Sequence, residues 1–416
     1  MDVIGKIRDE FSFVRGNYLI LVVSWVLMDF ANEMPSLYYG PFVMYDLGAS
    51  SAILGFIGFI SIIALAAVQF PGGFLADRYG RRWLISTLTF GVAFSFLFNV
   101  FAPSWHWILV GAVIANLCLL YQPALMAMVA DSTPAEKRGM AFSLTTLIAN
   151  VATTPAPMVV GLIVAMYDRA LGMRIAYGIV VILYLCAAIL RSRLKETIKT
   201  VEKLRPRDLL ASYPQSIREC VAVWKKVPRS MFFLFVSNLI MSFAFSLVQV
   251  FLAVYAVEGE KSVLNISQID WALASTVLFL VMIAFAIPIG KLIDRVGRKA
   301  PLLLSHLVLV PGVLLFVYGD LTRLFLALPL IGLTQLLFFS SFSSLQTDLV
   351  PRENRAKVIG FSHFFSYISM AIGMLTGGII YSITPQLPFL LMLIAMVPSF
   401  LFVLFMVHEP EEREAG

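Results

Sequence analysis

Charge is scarce in this chain of 416 residues: Asp, Glu, Lys and Arg together make up 13%, against 60% hydrophobic residues, and the mean hydropathy is +0.88. So little charge excludes a soluble globular domain and marks an integral membrane protein. Cysteine is nearly absent as well. Cys118, Cys186 and Cys220 have no pairing or metal-ligand spacing, so neither a disulfide framework nor a metal centre is expected. The four histidines, His106, His306, His363 and His408, do not cluster. The chain lacks a P-loop, zinc-protease, nucleophile-elbow or dinucleotide-binding pattern. An enzyme, a pump driven by its own ATP hydrolysis and any cofactor requirement are therefore not expected. No nucleic-acid motif accompanies the net charge of +6.

Long apolar runs are what the chain has instead. A bilayer core needs about 20 such residues per helix, and runs of that length fall near 18–43, 51–74, 83–102, 107–130, 140–166, 172–190, 230–256, 268–290, 300–319, 322–346, 357–382 and 386–407. Transmembrane β-strands need only about 10 alternating residues, so a barrel is excluded. The expected fold class is an all-α polytopic membrane protein with twelve transmembrane helices. The first span follows Lys6, Arg8 and Arg15, is too long for a signal peptide and has no small-residue cleavage site behind it, so it is expected to stay. An even number of spans puts both termini on one side. All but Arg169, Arg174, Lys261 and Arg323 of the 31 Lys and Arg fall on that side, which makes it cytoplasmic in a plasma membrane. The net charge then reports topology and contact with lipid headgroups.

One stretch occurs twice. Gly73-Phe-Leu-Ala-Asp77-Arg78-Tyr-Gly80-Arg81-Arg82 returns 217 positions on as Gly290-Lys-Leu-Ile-Asp294-Arg295-Val-Gly297-Arg298-Lys299. The same offset matches Asp131 with Asp348 and Arg138 with Arg355. The chain is therefore two homologous halves, pseudo-symmetric six-helix bundles at 1–195 and 229–416. A cytoplasmic linker at 196–228 joins them, and a run of basic residues beginning at Arg191 marks the boundary.

The doubled G-x3-D-R-x-G-R-[RK] loop and the six-plus-six plan resemble the major facilitator superfamily. That resemblance implies a cytoplasmic gate. Asp77 would meet the start of the eleventh span near Gly360-Phe361, and Asp294 the start of the fifth near Ala141–Ser143, latching the outward-facing state. Asp131 and Asp348 would pair with Arg81 and Arg298. On physical grounds Gly80 and Gly297 permit a positive φ, and Gly73 and Gly290 suit close helix approach. The chain departs from proton-coupled drug antiporters of the superfamily at two points. Gly111-Ala112 stand where those carry an arginine, and their G-P-x-x-G-G run is degraded to Ala156-Pro157-Met-Val-Val160-Gly161, echoed by Gly373-Met-Leu-Thr-Gly377-Gly378. Leu194-Lys-Glu196-Thr197 resembles an ending common in exporters.

Two acids lie deep in a span, Asp29 and Glu33. An ionised carboxylate at mid-bilayer costs about 2.5–3.5 kcal/mol, so such groups usually face a cavity and serve function. At i,i+4 they share a helix face about 6 Å apart, which suits a proton or cation site, with Glu33 nearer the middle. His363 is a further pH-sensitive candidate. In the family this chain resembles, spans one, four, seven and ten line the substrate cavity. Asn32, Tyr38, Asn116, Tyr121, Gln122, Asn238, Gln249, Gln335 and Ser340 are then candidate contacts, and Asn150 and His363 also reach toward it.

The expected function is secondary transport of small organic molecules by alternating access, with protons as the coupling ion and export as the first direction. Proton-coupled or facilitative uptake is the runner-up. With two deep acids and no deep base, neutral or cationic substrates are favoured. A non-transporting sensor would call for a soluble domain, whereas about nine residues follow the last span. The protein is expected to act as a monomer in the bilayer.

Overall fold

The computed structural model describes residues 14–134, 137, 141, 144–145, 148, 151–198, 224, 227–259, 262–351 and 355–409, with the backbone alone at 70–74, 76–79, 356 and 357. The first half contains α1 (Gly16–Ser36), the short α2 (Tyr39–Pro41), α3 (Ser51–Tyr79), α4 (Arg81–Val100), α5 (Trp105–Cys118), α6 (Gln122–Asp131) and α7 (Ala156–Ser192). The second contains α8 (Arg229–Ser246), α9 (Leu252–Ala256), α10 (Gln268–Val296), α11 (Lys299–Val317), α12 (Leu321–Leu349), α13 (Arg355–Ile383) and α14 (Leu387–Met406). Among the described residues there is no strand, only an isolated bridge between Val257 and Ile266. The fold is all-α.

Eleven stretches are long and apolar enough to cross a membrane, and one of them, Val151–Ser192, has 42 residues. At 1.5 Å per residue a straight helix of that length would run about 63 Å, twice a bilayer core. It turns back instead. Asp168 has φ 63°, its carboxylate accepts the Leu171 amide at 3.0 Å to start a new helix, and Gly172 lies against the Val164 backbone. The eleven stretches thus make twelve crossings.

Within the first half α7 packs on α1 and α4, and α3 on α5 and α6; within the second, α8 packs on α13 and α14, and α12 on α10 and α11. The halves meet through α3 against α13 and α7 against α10. Both joints are tightest at the end away from the repeated loops. A Cβ on Gly55 would lie 2.5 Å from the Met374 carbonyl oxygen, and one on Gly378 would lie 2.9 Å from Gly55 Cα. Only glycine lets the two backbones come this close. At the same end the Trp271 indole donates to Leu37 O at 3.2 Å, the Tyr38 hydroxyl donates to Gln268 O, and Arg169 bonds Asp46 at 2.7 Å while reaching Glu258 O at 3.4 Å.

The repeated loops form the other end, the signature face. Gly80 and Gly297 have φ of 96° and 97°, values that an L side chain resists. The helix starting after each loop is capped from a distance. Glu196 accepts the amides of Arg81 and Arg82 at 3.3 and 3.0 Å, and Glu409 accepts those of Arg298 and Lys299 at 2.7 and 2.6 Å. Each carboxylate lies just beyond the last helix of its own half. The exporter-like ending at Leu194–Thr197 therefore has a structural job here. Replacing Glu409 by Ala orphans two amides at a helix N-terminus and should cost about 1–2 kcal/mol. Thermal-shift measurements in detergent should show a lowered midpoint, and an unchanged one would contradict the assignment.

One expectation at this face needs correction. Gly290 has open space where a Cβ would be, so close helix approach falls to Gly55 and Gly378 instead. Asp294 is exposed and, among the described residues, engages no hydrogen bond or ion pair. Of its expected seat at Ala141–Ser143, residues 142 and 143 lie outside the described residues. Phe361, at the proposed seat for Asp77, packs against Trp224 and Phe235. The Asp77 and Arg78 side chains, and Arg138, lie outside the described residues.

Candidate functional site: a cavity in the first half

A cavity of about 700 Å³ opens among α1, α3, α4, α5, α6 and α7 and is closed on one side by α13. Its position follows from local chain breaks. Pro35 ends α1 early, and span four is interrupted by a 3-10 turn at Leu119–Tyr121 before Pro123 restarts it as α6. Proline supplies no amide to the helix ladder and suits the first turn of a helix. The second half carries Ser340 where the first has Pro123, and there α12 runs on without a break.

Asp29, Asn32, Asn116, Tyr121, Gln122 and His363 all line this cavity. Asn32 accepts the Tyr184 hydroxyl at 2.8 Å, Gln122 receives the Gln69 amide at 3.5 Å, and the Asn116 amide donates to Ala112 O at 2.8 Å. The other candidates lie elsewhere. Glu33 is outside the lining, with Oε1 accepting the Ser36 hydroxyl at 3.2 Å. Tyr38 is fully buried in the joint between halves. Asn238 is buried and donates to Ser366 at 2.7 Å, holding α8 to α13. Gln249, Gln335 and Ser340 are not among the lining residues, and Asn150 lies outside the described residues.

The structure also buries a base in the cavity wall, in the last turn of α7. Arg191, which the sequence places at the head of the basic linker run, is 1% exposed and lines the cavity. Its Nε donates to Ser24 at 3.0 Å, its Nη1 donates to Thr89 at 2.9 Å, and its guanidinium carbon lies 5.2 Å from the centre of the Tyr121 ring. One signal in the sequence pointed to it. Tyr177, Tyr184 and Arg191 recur every seven residues, about two helical turns, and form one stripe facing the cavity.

At the signature face Arg81 pairs with Asp131, and Arg298 Nε lies 2.9 Å from Asp348. The second pair meets by distance, but the Arg298 N–H is not aligned for a hydrogen bond. Arg355 donates to Thr347 O and Val350 O at 3.1 and 3.0 Å, tying down the turn before α13. Arg82 donates to Ser192 O and Lys299 to Leu404 O, joining each loop to the final helix of its half. Arg295 is exposed.

An all-α fold with helices long and apolar enough to cross a membrane, around a cavity lined by charged and polar side chains, is the architecture of a transporter. The sequence matches the Major Facilitator Superfamily over residues 21–264 and 260–416, and the chain belongs to that family. It is similar to the multi-drug resistance efflux pump PmrA of Streptococcus pneumoniae, at 23% identity over 81% of this chain and 82% of that protein. The multidrug resistance protein MdtG of Salmonella arizonae is 28% identical over 60% of this chain and 59% of its own length. Among solved structures, the nucleoside transporter NupG superposes with a TM-score of 0.73 at 16% identity, covering 94% of this chain and 100% of the other. The human organic anion transporter MFSD10 gives 0.65 at 18% identity, covering 93% and 98%.

Proposed function

We propose that this transporter exports small organic molecules in exchange for protons, with the signature face and both termini in the cytoplasm. The observation that carries the reading is Asp29. It is a half-buried carboxylate in a membrane span, it lines the cavity, and it has no ion pair among the described residues. Such a group can hold a proton or a cationic substrate group, and competition between the two converts a proton gradient into outward transport. The relatives named as multidrug efflux proteins support the direction. The placement of basic residues on the signature side supports the cytoplasmic orientation of that face.

Purified protein in proteoliposomes tests this with ethidium and dansylated amines as probes. An imposed pH gradient should drive probe accumulation at least five-fold above the gradient-free level, and a protonophore should abolish the difference. Equal accumulation with and without the gradient would remove proton coupling. Accumulation driven only together with inward proton flow would reverse the direction to uptake.

A further inference from the structure

We propose that Arg191 and Asp29 form a two-charge subsite for zwitterionic molecules, Arg191 receiving an anionic group of the transported compound and Asp29 its cationic group. This deepens the transporter reading above, on which it rests, by naming a substrate class.

A buried guanidinium is normally paired with a carboxylate, since an unpaired charge out of water is costly. Arg191 departs from that rule. Among the described residues no carboxylate lies within salt-bridge distance of it, and its partners are the neutral hydroxyls of Ser24 and Thr89 and the face of Tyr121. Its Nη2 donates to no group among the described residues. Nε and Nη1 fix the plane of the fork, and this leaves Nη2 for an incoming acceptor. A guanidinium held in this way is preorganised for a carboxylate or similar oxyanion.

The rest of the wall matches one kind of guest. Its charged groups are Asp29 and Arg191, one of each sign, with His363 across from them on α13. Asp29 and Arg191 share the cavity wall without pairing with each other, so one guest can contact both. A pure cation would satisfy Asp29 and leave Arg191 unpaired, and a pure anion would do the reverse. A molecule bearing both charges satisfies both. Trp25, Phe96, Tyr177 and Tyr184 supply flat apolar surface for its body.

Three fluorescent probes of matched length test this: Nε-dansyl-lysine (zwitterion), dansylcadaverine (cation) and 6-(dansylamino)hexanoic acid (anion). Binding to the full chain in nanodiscs is followed by dansyl emission at pH 7.5. Wild type should bind the zwitterion at least ten-fold more tightly than either singly charged probe. In Arg191→Gln the zwitterion should fall to within about three-fold of the cation, with cation binding retained. Arg191→Lys, which keeps the charge without the fork, should preserve part of the preference and serves as the variant if Arg191→Gln fails to fold. Equal binding of zwitterion and cation by wild type, or a preference that survives in Arg191→Gln, would overturn the proposal and leave Arg191 as a pin between helices. Charge-selective binding without pH-driven transport would instead count against proton coupling and leave this subsite standing.

Discussion

Replacing Asp29 by Asn should cut pH-gradient-driven transport at least ten-fold, while Glu33→Gln should change it less than two-fold. The two carboxylates are one helical turn apart on α1, and sequence spacing alone favours Glu33 as the deeper. The structure separates them by surroundings. Asp29 lines the cavity with Trp25 and Arg191, whereas Glu33 lies outside the lining with the Ser36 hydroxyl on Oε1. Asn preserves the shape of Asp and removes its proton, so the variant should pack normally. Counterflow at saturating substrate needs no net proton movement, so in Asp29→Asn it should fall less than gradient-driven transport, high substrate concentration offsetting the lost contact to the cationic group. A loss of gradient-driven transport that exceeds the loss of counterflow assigns the proton to Asp29. A larger loss in Glu33→Gln than in Asp29→Asn would move it to Glu33.

Much of the architecture was legible in the sequence because its causes are local. Twenty-residue apolar runs read as spans, and a doubled loop with glycine at 80 and 297 reads as a repeated tight turn. The repeat reaches further than the loop. Ser50 accepts the Ile53 amide at 3.2 Å and Ser267 the Asp270 amide at 3.2 Å, caps at matched places before α3 and α10. The site was less legible because it depends on which helix faces turn inward. Arg191 looks like a linker residue until Ser24, Thr89 and Tyr121, from three other spans, are seen around it. The matched place for Thr89 in the second half is His306, which is fully buried and takes part in a different network. Its Nε2 lies 2.9 Å from the Ser399 hydroxyl, which is 2.7 Å from Ser237. Both halves thus carry a buried polar cluster, and the one in the first half includes a cation of the cavity wall. No single-sequence periodicity distinguishes a cluster that locks helices together from one that faces a guest.

Gly378→Ala should produce the second large effect, at least a ten-fold fall in transport rate, by preventing the end away from the signature face from sealing. The added Cβ would lie 2.6 Å from Ser51 O and 2.9 Å from Gly55 Cα. Both are backbone atoms, so no rotamer change relieves the contact, and α3 and α13 must separate. Overpacking of this kind costs about 1–3 kcal/mol. All of it falls on the sealed state, so the equilibrium should move about 5- to 150-fold toward the state open at that end. The readout is a cysteine at Ser36, which lines the cavity, in a background lacking Cys118, Cys186 and Cys220. Labelling by a membrane-impermeant thiol reagent from the side away from the signature face should rise in Gly378→Ala. It should stay at the parental level in Gly178→Ala, where a Cβ meets nothing within 4 Å. Gly377→Ala provides the internal contrast, since its Cβ would strike Leu247 O of the same half. That variant should lose thermal stability without gaining accessibility, because the strain lies within one bundle and both conformations share it. Equal labelling of Gly378→Ala and its parent would mean that the approach of Gly55 and Gly378 is not what closes the transporter at this end.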